Sequence, residues 1–153
     1  MKQLKLTVLF LVVNFSGLAI GSWLMNNGPI SNWYTDLNQA PWTPPGYVFG
    51  IAWTFIMICF SIYLGKLFTE SSSKNKLAIF LFQFTLNVSW NFIFFNQHLV
   101  FLALVNIVLL TALLFLYFFK FSQNVKNYKY LLLPYVIWLC IATSLNLYIL
   151  VHN

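Results

Sequence analysis

The chain has 153 residues, of which 61% are hydrophobic and 7% charged, with a formal net charge of +6 and a mean hydropathy of +0.80. So little polar side chain cannot cover a soluble core, which excludes a water-soluble globular domain and assigns the chain to lipid. The positive charge comes from lysines scattered at the ends of apolar runs, a pattern of membrane topology and contact with anionic lipid headgroups and not of nucleic-acid binding.

Crossing the hydrocarbon takes about 20 mostly apolar residues. Five stretches qualify: Leu6 to Met25, Pro45 to Phe68, Lys76 to Phe95, Leu99 to Phe121 and Tyr130 to Val151. They predict an all-α fold, a single five-helix transmembrane bundle over residues 1–153, with no room for a soluble catalytic domain. Lys2 and Lys5 precede the first stretch, Lys66, Lys74 and Lys76 flank the second-to-third connection, and Lys120, Lys126 and Lys129 flank the fourth-to-fifth. The alternate segments Asn26 to Pro44, Asn96 to His98 and His152 to Asn153 carry none. Because positive residues near helix ends stay cytoplasmic, the N-terminus is expected in the cytoplasm, and the C-terminus and the long 26–44 segment outside.

The first stretch carries Gly17 and Gly21, a GxxxG spacing that lets another helix approach closely, within this bundle or in a second copy. Lys2 and Lys5 before an apolar run that ends in small residues also fit a secretory signal. Cleavage would leave four spans and discard a helix the bundle needs, so the membrane-span reading is preferred. The segment Asn26 to Pro44 is long for so short a chain. Its Trp33, Tyr34, Leu37 and Trp42 are residues that solvated disorder avoids, so it is expected to fold back as an aromatic lid. Asp36 reads as a loop or cap residue. Pro44 and Pro45 before Gly46 suit a helix start. Ser71 to Ser73 with Lys74 reads as a polar turn.

Asparagine in hydrocarbon is costly unless its amide is paired. In the third stretch Asn87 and Asn91 share a face with Trp90 and Phe94. Asn14, Asn106 and Asn146 lie in the first, fourth and fifth. All five serve either as hydrogen-bonding glue between helices, about 1 kcal/mol each, or as lining of a site; glue is preferred for Asn14 and Asn106. In the fifth stretch Tyr135, Trp138, Ala142 and Leu145 follow one another at helical spacing, and Pro134 is expected to bend the helix and open space beside Trp138. Trp23 and Tyr148 suit an interfacial belt, whereas Trp53 and Trp138 lie too deep and are expected to face inward. A cavity lined by Phe49, Trp53, Trp90 and Trp138 suits a flat, largely apolar ligand with polar edges. Cys59 and Cys140 read as packing residues. His98 and His152 form no metal-ligand spacing, and no structural metal is expected.

Trp33-Tyr34-x-x-Leu37, then Trp42-Thr43-Pro44-Pro45 and Trp53 resemble the first loop and second helix of the TspO/MBR family, the tryptophan-rich sensory or translocator proteins. Leu86-Asn87-x-x-Trp90 with Phe94-Phe95, Ala103 to Asn106, and Leu133-Pro134-Tyr135-x-x-Trp138 with Ala142-Thr143-x-Leu145-Asn146 resemble its remaining helices in order. The resemblance implies a five-helix bundle, often a homodimer, that binds protoporphyrin IX-like tetrapyrroles as ligand or substrate and holds no permanent cofactor. For some members it implies sterol or synthetic ligands, and for some bacterial members light-dependent porphyrin breakdown. The family's pocket falls on Tyr34, Trp53, Asn87, Trp90, Trp138, Ala142 and Leu145, and its two tryptophans tied to breakdown fall on Trp53 and Trp138. The ligand-contacting set expected here adds Trp42, Phe49, Asn91, Phe94, Tyr135 and Asn146. The chain departs from the family in reading Gln39-Ala40-Pro41-Trp42 for Lys-Pro-x-Trp, Asn106 for an acid, and Leu147 with Val151-His152 for the sterol-recognition tail. Beside a porphyrin receptor, the open functional readings are a photo-oxidising enzyme, a sensory scaffold with a ligand-modulated partner, and a tetrapyrrole or sterol transporter.

Overall fold

A backbone in lipid has no water to bond, so each spanning segment closes its own hydrogen bonds as a helix. The computed structural model describes residues 1–70 and 73–153. Its elements are α1 (Lys2–Leu24), α2 (Asn32–Thr35), α3 (Gly46–Glu70), α4 (Lys74–Asn91), α5 (Val100–Lys120), α6 (Ser122–Val125) and α7 (Leu133–His152). A π-turn over Phe92–Asn96 extends α4, and 3₁₀ turns cover Gly28–Ile30 and Lys126–Leu132. α1, α3, α4 with its extension, α5 and α7 are long and apolar enough to cross a membrane. They match the five expected stretches to within a few residues. Of the expected turn at Ser71 to Lys74, Ser71 and Ser72 lie outside the described residues, while Ser73 caps α4 by accepting the Lys76 N–H at 3.2 Å.

The spans form a closed ring in the order α1, α3, α7, α5, α4 and back to α1, with the α3–α7 seam the most sparsely packed. Leu9, Val12, Phe101 and Leu102 are among the apolar side chains left on the outward faces. α1 sits tightly in the ring. Cβ atoms on Gly17 and Gly21 would lie 2.7 Å from Phe84 Cε2 and 2.6 Å from Asn91 Nδ2, both on α4, and a Cβ on Gly65 of α3 would run into Thr7 of α1. The bundle therefore uses the small residues of α1 internally. Asn14 Nδ2 donates to Ser61 Oγ of α3 at 2.8 Å, buried, and Asn106 Nδ2 of α5 donates to Ser89 Oγ of α4 at 2.9 Å, the gluing roles expected of both.

Pro134 overturns one expectation. The predicted span from Tyr130 starts as a 3₁₀ turn and becomes α-helical only at Leu133, so Pro134 stands in the first turn of α7. Its missing N–H has no intrahelical carbonyl to lose there, which removes the cause of the expected bend. Trp138 is packed to 7% exposure, without the added space beside it.

The interior at the lysine-bearing end is solid. Phe60, Tyr63, Tyr117 and Tyr135 are fully buried, the Phe60 ring lies 5.4–6.3 Å from the other three, and Tyr63 Oη donates to the Tyr117 carbonyl at 3.1 Å.

Candidate functional site

Above that plug, toward the 26–44 segment, the interior is organised in tiers. α3 runs opposite to α7, so Trp53 lies beside Tyr135 (ring centroids 5.6 Å, edge-on) and Phe49, one turn nearer the lid, lies beside Trp138 (5.2 Å, edge-on). Two hydrogen bonds cross the ring between α4 and α7, which are not neighbours in it. Gln83 Nε2 donates to Tyr135 Oη at 2.9 Å. Two turns along α4, Trp90 Nε1 donates to Asn146 Oδ1 at 3.3 Å, whose Nδ2 donates in turn to the Val100 carbonyl at 3.0 Å. At 1.5 Å rise per residue the crossings stand about 10 Å apart along α4. Between them lie Asn87, one turn above Gln83, with Phe49, Trp53, Trp138 and the small Ala142, one turn above Trp138.

This compartment is mostly aromatic, with few polar groups. Neither the Trp53 nor the Trp138 indole N–H has an acceptor among the described residues, and the Asn87 amide has no partner there either. None of the three is sealed from contact, so each can donate to something placed between the walls. The Phe49 and Trp138 rings close on one another across the sparse α3–α7 seam. Two open hollows lie elsewhere, on outward faces. One of about 490 Å³ lies along α3 at Gly50, Thr54 and Ile58. The other, about 350 Å³, lies between α1 and α4 at Leu24, Phe84 and Phe92.

The 26–44 segment roofs the compartment. Ser31 caps α2 by accepting the Tyr34 N–H at 3.3 Å, and Gln39 Nε2 donates to the Tyr34 carbonyl at 3.0 Å. Tyr34 and Trp33 both meet buried Phe94 edge-on, at 6.2 and 5.6 Å, and Trp33 stacks on His98 at 4.0 Å. Burial pushes the Tyr34 phenol above its ordinary range. A clasp fastens the segment to the end of α7: the Asn38 N–H donates to Asn153 Oδ1 at 2.9 Å, Asn153 Nδ2 to the Asn38 carbonyl at 3.3 Å, and Asn38 Nδ2 to the His152 carbonyl at 3.1 Å. Trp42 Nε1 donates to Ser144 Oγ at 3.1 Å, and the Trp42 ring meets Tyr148 edge-on at 5.4 Å.

The expected site residues therefore separate into groups. Phe49, Trp53, Asn87, Trp138 and Ala142 share the compartment. Trp90 and Asn146 form its upper crossing, Tyr34 and Phe94 the roof, and Leu145 is buried on α7 beside it. Tyr135 is fully buried and belongs to the floor. Asn91 turns toward Gly21 at the α1–α4 seam, and Trp42 stays half exposed against α7. Asp36 ends α2, exposed, and Glu70 pairs with Lys66 at the far end of the bundle. Sequence reasoning missed Gln83, although it stands four residues before Asn87 on the same face. It also missed Ser144 and the Asn38–Asn153 clasp, which no local pattern announces.

The profile of the TspO/MBR family matches residues 8–152. The chain is 33% identical over 129 residues to a tryptophan-rich protein TspO of Chlorobaculum tepidum, covering 82% of each chain. It is 31% identical over 155 residues to a tryptophan-rich protein TspO of Archaeoglobus fulgidus, covering 100% of this chain and 99% of the relative. With a translocator protein of Homo sapiens it shares 30% identity over 137 residues, 85% of this chain and 79% of the relative.

Proposed function

We propose that this chain, which belongs to the TspO/MBR family, is a membrane receptor that takes a protoporphyrin IX-like tetrapyrrole into the compartment between Gln83–Tyr135 and Trp90–Asn146. The observation that carries this reading is the set of unpaired donors, Trp53, Trp138 and Asn87, among aromatic walls beneath an aromatic roof. Burying a rigid apolar disc among such rings gains transfer free energy and ring stacking. The two propionates keep to the lid end, since burying a carboxylate without a partner is prohibitive. The 26–44 segment carries no lysine, so their donors are neutral: loop amides and the Trp33 indole. Affinity is accordingly modest. Lysine placement supports a cytoplasmic N-terminus, with the lid on the other side.

Titration of the purified chain with protoporphyrin IX is expected to quench tryptophan emission saturably, with affinity reduced in Trp53→Phe and Trp138→Phe. Quenching that never saturates in the unsubstituted protein overturns the reading. A second reading, light-dependent oxidative degradation of the bound pigment, is favoured by the position of Trp53 and Trp138 one turn apart on facing helices. Glu70 is paired with Lys66 at the far end of the bundle, and Asp36 caps the end of α2 on the exposed side of the lid. The excited pigment would supply the activation and dioxygen the oxidant. Illumination should bleach the Soret band of bound protoporphyrin IX more slowly in both substituted proteins, and equal bleaching at equal occupancy rejects a part for these side chains.

A further inference from the structure

Gln83 is 1% exposed, and its amide is half used. Nε2 is committed to Tyr135 Oη at 2.9 Å, while Oε1 is sealed in and has no hydrogen-bond partner among the described residues. A buried acceptor without a donor carries its full desolvation cost, and that cost is recovered when something donates to it. Its place limits what the donor can be. Gln83 lies one turn below Asn87 on α4 and reaches the phenol whose ring is 5.6 Å from Trp53. Beneath it, Phe60, Tyr63 and Tyr117 close the interior completely. The Gln83 amide is thus the deepest polar group bordering the compartment.

We infer that Gln83 is a specificity-determining residue, which reads the deep edge of the ligand by accepting a hydrogen bond from it at Oε1. The inference rests on the tetrapyrrole reading above. A porphyrin that keeps both propionates toward the lid sends its opposite edge down to the floor. That edge carries two vinyl groups in protoporphyrin IX and two 1-hydroxyethyl groups in haematoporphyrin IX, on the same disc and with the same acids. A hydroxyl there donates to Oε1, and a vinyl group cannot. Presenting the sealed oxygen to a ligand takes a turn of the Gln83 side chain, and its terminal amide torsion is soft. Sites that hydrogen-bond a ligand hydroxyl discriminate strongly against the analogue that lacks it, since the buried partner is then left unpaired.

The test uses the full chain in lipid nanodiscs and measures dissociation constants for protoporphyrin IX, haematoporphyrin IX and the bis(methyl ether) of haematoporphyrin, in the unsubstituted protein and in Gln83→Met, which keeps side-chain length. The ratio of protoporphyrin to haematoporphyrin dissociation constants is expected to fall about tenfold in Gln83→Met. In the unsubstituted protein the bis(methyl ether), which keeps the oxygens and cannot donate, is expected to bind about tenfold more weakly than haematoporphyrin. The second comparison needs no variant and stands even if Gln83→Met does not fold. Saturable binding of all three porphyrins with haematoporphyrin and its ether equal, or with the ratio unchanged in Gln83→Met, overturns the inference and leaves the receptor reading intact. No saturable binding of any porphyrin to the unsubstituted protein overturns both.

Discussion

Asn153→Ala tests whether the clasp holds the lid down. The substitution removes the oxygen that accepts the Asn38 N–H at 2.9 Å and the nitrogen that donates to the Asn38 carbonyl at 3.3 Å; that nitrogen's bond to the Ile149 carbonyl, lost with it, lies within the end of α7 and does not touch the lid. It leaves the Asn38–His152 and Trp42–Ser144 bonds in place. A net hydrogen bond contributes about 0.5–1.5 kcal/mol. Both lost lid bonds are solvent-exposed, so the low end applies and the pair contributes about 1 kcal/mol. At about 1.4 kcal/mol per factor of ten, local opening of the lid becomes roughly fivefold more frequent. Hydrogen exchange followed by mass spectrometry reads this directly: peptides covering Asn38 should exchange roughly fivefold faster, while those from the middle of α3 and α5 stay unchanged. Adding Asn38→Ala removes the bond to the His152 carbonyl as well and should bring the acceleration to roughly tenfold. An exchange rate at Asn38 unchanged by Asn153→Ala refutes the reasoning, since the lid's other contacts, those of Trp33, Tyr34 and Trp42 among them, would then hold it without the Asn153 bonds.

Gly65→Ala should destabilise the bundle by about 1–3 kcal/mol, because the added carbon meets the backbone of Thr7, which cannot step aside. Gly50→Ala meets nothing within 4 Å and should be neutral or stabilising by up to about 1 kcal/mol; thermal unfolding in detergent compares the two, and equal shifts would contradict the packing described. Asn146→Leu leaves the Trp90 indole without its acceptor and the Val100 carbonyl without its extra donor. A loss of about 1–3 kcal/mol is expected, with Trp90 emission shifted, and an unaltered melting point would show that the upper crossing holds nothing. The Tyr34 phenol titrates above its ordinary value of 10.0 because it is buried. Its folded pKa is raised, so its contribution is complete below pH 10 and is lost as pH rises through the folded value. Exchange of the 26–44 segment should therefore show no excess opening up to pH 10 and an excess above it, with Tyr34→Phe lacking that rise once intrinsic exchange rates are corrected for.

Much of the candidate site was legible because helical spacing puts residues on a common face before any partner is known. Asn87, Trp90 and Phe94 on one helix, and Tyr135, Trp138 and Ala142 on another, needed only a period of 3.6. Hydropathy cannot say which neighbour each face meets. Asn87 and Asn91 were indistinguishable by that period, yet the rotation of α4 turns one inward and the other onto Gly21. Pro134 misled because a hydropathic run does not distinguish a 3₁₀ turn from the first turn of an α-helix.

The number of spans, their approximate ends and the sidedness expected of the lysines follow from the sequence alone, because in hydrocarbon each helix must satisfy its own backbone whatever its neighbours do. Tertiary structure decided the rest: the ring order, the two hydrogen bonds that cross it, the orphaned Gln83 oxygen and the lid clasp. Those features depend on how each helix is rotated and which helix lies opposite, and packing of large against small side chains sets both, through contacts between residues far apart in the chain.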